Sequence, residues 1–251
     1  MDDFGVPKKF GEPEIDPEAW VAPGTVLVGK VIVEHKLVIF DLDGTLLDTI
    51  EDIAGATNRV LEARGLAPFS VEETKLLVGD GIEEMVRRTF ALRGIGPLSD
   101  AEVAGVVTDY RREYQSCWRS HSRPYPGVPE LLDELARRRV KTAVLSNKSH
   151  LFTTAMTAEL LAGSRFDLVR GAVPGVPHKP DPASALSIAG ELGVEPAACI
   201  FLGDTNVDMK TATAARMFAV GALWGFRTAD ELLTSGAAAL ISSPHELLEW
   251  F

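Results

Sequence analysis

The stretch FDLDGTLLD, residues 40–48, places two aspartates with one residue between them at the end of an apolar run. If that run is a strand, its end lets Asp41 and Asp43 address one ligand, and Gly44 permits a sharp turn into the chain that follows. Paired carboxylates in such a place suit nucleophilic attack by one with proton transfer by the other, or the binding of a hard cation through oxygen. Three more groups follow in order: Ser146 in VLSN, Lys179 in HKPDP, and Asp204 with Asp208 in LGDTNVD. Taken singly, Ser146 reads as a helix cap, Lys179 as a solvated lysine and Asp204 as an N-cap. Their joint spacing along an alternation of strands and helices makes a single shared site the better reading.

That alternation is visible from Lys36 onward. The runs LVIF (37–40), TAVLS (142–146), FDLVRG (166–171), CIFLG (199–203), MFAVGA (217–222) and ALISS (239–243) read as buried strands. Between them VPELLDELARRR, HLFTTAMTAELLA, PASALSIAGELG and DMKTATAAR carry helical periodicity. Strands and helices in this order predict an α/β fold, a doubly wound parallel sheet with ligands at the carboxyl ends of its strands. One interval departs from the rhythm. Residues 51–124 show only helical patterns, in DIAGATNRVLEARG, VEETKLLVG, IEEMVRRTFALRG and DAEVAGVVTDYRREYQSCW, and predict an inserted helical cap. The core is then 36–50 with 125–251, and PYPGVPE (124–130) is the returning linker.

Composition narrows the function classes. A net charge of −11 disfavours a nucleic-acid partner, which would need a dense basic face. No apolar run approaches the roughly 20 residues that span a bilayer, so a soluble, cytoplasmic protein without a membrane partner is expected. Cys117 and Cys199 are far apart and lack metal-ligand spacing, and Cys199 belongs to an apolar run. The oligomeric state, monomer or homodimer, stays open.

The constellation from 36 to 251 resembles the haloacid dehalogenase superfamily, and PYPGV, SNKS, HKPDP and GDTNVDMKTATAARM are most similar to its phosphoglycolate phosphatase-like branch. The resemblance implies a Rossmann-like core with a helical cap and a magnesium cofactor. It implies Asp41 as nucleophile, Asp43 as general acid and base, Ser146 and Lys179 as phosphate binders with Asn147 beside them, and Asp204 as a metal ligand. Thr45 and Asp208 are supporting candidates, Asp208 through a metal-bound water or by holding Lys179. Arg216 departs from the pattern, standing where that branch usually has glycine.

Physical chemistry supports a phosphate ester as substrate. A carboxylate nearing a phosphate monoester meets anion–anion repulsion, so positive charge must screen both before attack. Magnesium held by Asp41, Asp204 and the main-chain carbonyl of Asp43 is the expected source, with Lys179 adding a point charge. The expected partner is a small phosphorylated metabolite, selected by the cap; Gly79, Asp80 and Gly81 form a turn where backbone can approach it, and Arg87 and Arg88 follow on the next helix. A β-phosphoglucomutase-like phosphoryl transfer would use the same aspartates. A non-catalytic binding or scaffolding protein is the alternative from another class, and the presence of all four motifs argues against it.

The opening residues read differently. Ile15, Val21, Leu27 and Val33 recur every six residues, a pattern similar to one coil of the hexapeptide β-helix of gamma-class carbonic anhydrase-like proteins. A single coil cannot bury its own apolar face, so residues 1–35 are expected to be an extension without catalytic residues.

Overall fold

The computed structural model describes residues 35–251, and the hexapeptide-like reading of the residues before them lies outside what is described. Its first strand, β1 (Leu37–Phe40), is the hub of the molecule. All four side chains are fully buried, and they divide by the strand's period of two. Val38 and Phe40 join one apolar cluster, Leu37 and Ile39 the other, so both faces of the sheet must be covered. Burial of each large side chain contributes roughly 1.5–3 kcal/mol.

From β1 the chain makes a turn at Gly44 and a two-residue strand, β2 (Leu47–Asp48), before entering four helices. These are α1 (Ile50–Glu62), α2 (Val71–Lys75), α3 (Ile82–Leu92) and α4 (Asp100–Cys117). Ser70 and Ser99 close α2 and α4 with reciprocal capping boxes to Glu73 and Glu102. The return is made by β3 (Arg123–Pro124), antiparallel to β2 with Leu47 opposite Pro124. Asp52, in the first turn of α1, accepts hydrogen bonds from the main-chain N–H of His121 and Ser122 and from the Ser122 hydroxyl, tying the start of the helical segment to its end. Burial opposes ionisation there, yet the bonds from Ser122 and His121 hold its carboxyl below the usual range.

The rest follows the expected alternation. In order come α5 (Val128–Arg137), β4 (Lys141–Ser149), α6 (His150–Leu160), β5 (Leu168–Ala172), α7 (Ala183–Glu191), β6 (Cys199–Gly203), α8 (Asn206–Ala214), β7 (Phe218–Ala222), α9 (Ala229–Thr234) and β8 (Ala239–Ile241). The six longer-range strands form one parallel sheet in the order β5-β4-β1-β6-β7-β8. Buried Leu131 and Leu135 of α5 and Met156 of α6 cover one face, and Ile188 of α7, Met209 of α8 and Leu232 of α9 cover the other. The order reverses direction at β1, which puts the switch point of this doubly wound sheet beside Asp41.

The structure departs from the sequence reading locally: β4 starts one residue before the expected 142–146 strand and ends three after it, β7 starts one residue late and β8 ends two residues early. β5 begins two residues later than the expected strand and ends one later. Of VEETKLLVG only Val71–Lys75 is helical, because the chain leaves the helix for Gly79 at φ 131°. The linker PYPGVPE starts inside β3 instead of running free. Among the described residues no helix is long and apolar enough to cross a membrane, and both cysteines are free thiols, Cys199 buried.

Candidate active site

Parallel strands β1, β4 and β6 end together, and each delivers part of one site. Asp41 follows β1 directly, its N–H donating to Leu202 O of β6 at 2.9 Å. Asp204 follows β6, and Asp208 lies in the first turn of α8. One carboxylate oxygen from each of Asp41, Asp204 and Asp208 lies within 4.8 Å of the others, all three residues being buried. Gly44, at φ 86°, makes this approach possible: a Cβ there would sit 2.3 Å from Asp204 Oδ2. Thr45 donates its hydroxyl to Asp204 Oδ1 at 2.7 Å, and the Phe226 N–H donates to Oδ2 at 2.8 Å.

Lys179 enters from the loop after β5, 4% exposed. Its ammonium stands 2.8 Å from Asp41 Oδ1 and 2.6 Å from Asp208 Oδ1. Asp208 turns its other oxygen to the N–H and hydroxyl of Thr205, at 3.1 and 2.7 Å. It therefore both holds Lys179 and caps its own helix. Burial would lower the lysine's pKa, but the charges of Asp208 and Asp41 overcome it and drive the value well up. Asp41 moves from its usual 3.8 to about 7, because burial and the neighbouring Asp208 and Asp43 outweigh the pull of Lys179. Asp204 is raised well above its ordinary value by burial, then by Asp208 and Asp41, against the bonds from Phe226 and Thr45.

These charges bear on whether a divalent cation fits. Asp41, Asp43, Asp204 and Asp208 face two ammonium groups, Lys179 and Lys148. With all four carboxylates ionised two negative charges are left over, the amount one divalent cation cancels, and burial together with that excess raises the pKa values of Asp41 and Asp204. Oδ1 of Asp41 is buried with no donor aligned on it beyond the ion-pair contact to Lys179. The donors are all oxygen, as magnesium prefers. The residues fit the ion.

Asp43 is held apart from that cluster. Its Oδ1 accepts from the Thr49 hydroxyl at 2.7 Å, and the Lys148 ammonium reaches both oxygens, at 2.8 and 2.9 Å. Lys148 also lies 4.6 Å from the centroid of the Tyr114 ring on α4. The sequence reading assigned Lys148 no role. Its reach depends on an irregularity: β4 shifts register against β5 between Leu145 and Ser149, which breaks the strand's alternation where Lys148 stands.

Ser146, also on this part of β4, is buried and accepts from the Lys148 N–H at 3.2 Å. Asn147 is used as a brace. Its amide donates to Lys179 O at 2.9 Å and to Gly79 O at 3.0 Å, and its Oδ1 accepts from the Lys179 N–H at 2.9 Å. Its side chain is thereby engaged with Gly79 and Lys179.

The turn between α2 and α3 comes down on the site. Gly79 and Gly81 line the cleft above Asp41 and Asp43, while Asp80 turns to Arg88 at 2.6 Å. Gly81 is the N-cap of α3. Arg227, from the loop after β7, donates to Lys75 O and Val78 O at 2.6 and 2.7 Å and fixes the same turn. Arg87 pairs with Leu98 O at 2.9 Å and with Asp100, so neither Arg87 nor Arg88 faces the cleft. Ile53, Ile82, Met85 and Phe152 give the cleft an apolar lining.

Comparison with known proteins agrees with this geometry. A family model described as haloacid dehalogenase-like hydrolase matches residues 38–222. A phosphoglycolate phosphatase of Xylella fastidiosa is 31% identical over 213 residues, 84% of this chain and 91% of that protein. One from Agrobacterium fabrum is 32% identical over 190 residues, 76% of this chain and 81% of that protein. A solved structure from Lactobacillus delbrueckii subsp. bulgaricus, assigned as a phosphoglycolate phosphatase, superimposes with a TM-score of 0.81 at 30% identity, covering 86% of this chain and 98% of that one. Asp41, Lys179, Asp204 and Asp208 all lie in the matched span. The chain belongs to the haloacid dehalogenase-like hydrolase family.

Proposed function

We propose that the protein is a magnesium-dependent phosphatase that hydrolyses a small carboxylated phosphate monoester, phosphoglycolate, through an aspartyl-phosphate on Asp41. The observation that carries this reading is the position of Asp41, at the end of the hub strand, buried, beside an ammonium group and within reach of two further carboxylates. The phosphoglycolate phosphatases among its relatives support the substrate. The setting this implies is cytoplasmic, with a small metabolite as partner.

Asp41 and Asp204, with the main-chain carbonyl of Asp43, would hold magnesium; both oxygens of Asp208 are committed to Lys179 and Thr205. Bound there, the ion would screen the negative charge of nucleophile and phosphate. Lys179 and Ser146 bind the phosphate oxygens. A carboxylate oxygen of Asp41 bonds to phosphorus as the ester oxygen leaves, and Asp43, having first taken up a proton as the substrate binds and one of its bonds from Lys148 opens, delivers that proton to make the leaving oxygen an alcohol. Asp43 then takes a proton from water, whose oxygen bonds to phosphorus and frees Asp41. The helical segment α1–α4 acts as the cap, its α2–α3 turn excluding bulk water.

The test is phosphate release from phosphoglycolate with magnesium, with EDTA, and by Asp41→Asn. Turnover should vanish in EDTA and in the variant, with circular dichroism unchanged. Steady turnover by a purified, folded Asp41→Asn protein would defeat the covalent route.

A further inference from the structure

Two basic side chains line the cleft above Asp41 and Asp43: Lys148 from β4 and Arg111 from α4. Lys148 is spent on Asp43. Arg111 is exposed and has no hydrogen bond or ion pair among the described residues. Its neighbours on the helical segment are unlike it. Arg112 pairs with Asp109 and Glu113, Arg59 with Glu113, Arg64 with Asp109, and Arg88 with Asp80 and Glu84. In a chain of net charge −11, a guanidinium left without a carboxylate beside a catalytic cleft is the exception.

Its position gives the exception meaning. Arg111 follows Tyr110 and precedes Tyr114 by about one helical turn, and all three line the cleft, so this face of α4 is turned to the ligand space. The wall around it, Ile53, Ile82, Met85 and Phe152, offers no charge of either sign. A ligand whose phosphate lies at Asp41 therefore shares its cleft with one unpaired cation set among apolar side chains. A planar guanidinium binds a carboxylate with two parallel bonds, which an ammonium or a hydroxyl does not.

We infer that Arg111 is the specificity-determining residue of the cleft, binding a second anionic group, a carboxylate, on the phosphate ester. This deepens the phosphatase reading and rests on it. The inference predicts which substrates are chosen, by a residue that takes no part in bond breaking.

The experiment compares phosphoglycolate with ethyl phosphate, which lacks the carboxylate, for the wild type, Arg111→Met, Arg111→Lys and, as a control, Arg112→Met. Loss of a charge-assisted contact should lower kcat/KM of Arg111→Met on phosphoglycolate about 10- to 100-fold more than on ethyl phosphate, mostly through KM. Arg111→Lys should recover part of that difference. Arg112→Met, whose side chain is paired away from the cleft, should keep the wild-type preference. Equal losses on both substrates in Arg111→Met, or a wild type indifferent to the carboxylate while still hydrolysing both, would overturn the role of Arg111 and leave the phosphatase reading standing. A wild type that releases phosphate from neither ester, nor from p-nitrophenyl phosphate, removes both.

Discussion

The Lys148 ammonium spans both carboxylate oxygens of Asp43, joining a residue of β4 to the second aspartate of the DxD pair. Both side chains are about nine-tenths buried, and Thr49 adds one more donor to the same carboxylate. Asp43 is thus fixed in direction before any ligand arrives. Removing one partner of such a pair leaves a charge without compensation. Lys148→Met should cost about 3 kcal/mol of folding stability, the low end for a buried pair because the cleft admits water. Adding Asp43→Asn to it should cost little more, since the stranded charge is then gone. Urea unfolding of the two single variants and the double variant checks this, and simple additivity would mean that the pair is not coupled.

Metal-free protein should lose stability as pH rises. Asp41 has a folded-state pKa of about 7 against an ordinary 3.8, because burial and its carboxylate neighbours disfavour the charge. The folded state therefore holds its proton more tightly than the unfolded chain does. That contribution is complete below about pH 4 and is lost as pH climbs to about 7. Asp204, shifted in the same direction, adds to the slope. Thermal unfolding in EDTA across this range should show the fall, Asp41→Asn should flatten it, and magnesium at pH 7.5 should raise the midpoint by binding the folded state alone. A midpoint that rises with pH in EDTA would contradict the raised pKa of Asp41.

Much of this site could be read from the sequence because its chemistry sits at strand ends, and strand ends are marked by a change from apolar runs to aspartate, serine or glycine. Asp41, Ser146 and Asp204 all stand at such changes. Lys148 does not. It lies beyond the strand expected at 142–146, in a bulge that no local pattern announces, and a lysine between asparagine and serine reads as solvated. Arg111 sits in a run of charges on α4, where only the fold tells that it faces the cleft and Arg112 does not. Asn147 was legible as part of the site, but its work as a brace between Lys179 and Gly79 depends on partners 32 and 68 residues away. The ribbon of β2 and β3 was illegible for a different reason, since two-residue strands, one containing proline, carry no periodicity.

Gly81 should tolerate no side chain without loss. It opens α3 at φ 94° and ψ 169°, a region that belongs to glycine, and an added Cβ would lie 3.0 Å from His178 Nδ1. The backbone penalty alone is on the order of 1–3 kcal/mol. Gly81→Ala should therefore be destabilised by about that amount and should raise KM for phosphoglycolate, because the turn that Asn147 and Arg227 hold over the site is displaced. Combining it with His178→Ala removes the contact but not the dihedral strain, so stability should return only in part. Full recovery in the double variant would show that the contact, not the backbone, sets the cost.

Arg216 is the position where the resemblance led one to expect glycine, and its backbone shows what glycine would do there. The residue ends α8 with φ 58°, the left-handed conformation. Met217 N–H closes on Ala212 O at 2.9 Å and Arg216 N–H on Thr213 O at 3.1 Å, the bond pair of a Schellman ending. Holding a residue with a Cβ in that conformation costs about 1–2 kcal/mol, and glycine gives back about 0.5–1 kcal/mol through its freer unfolded chain. The difference favours Arg216→Gly by about 0.5–1 kcal/mol. For a chain of this size that is a rise of about 1–4 °C in Tm. The side chain is exposed and does not line the cleft, so kcat and KM should hold. Arg216→Ala separates backbone from side chain: it removes the guanidinium yet keeps the Cβ, and it should gain nothing. An equal gain in Arg216→Ala and Arg216→Gly would trace the effect to the side chain and dismiss the strain.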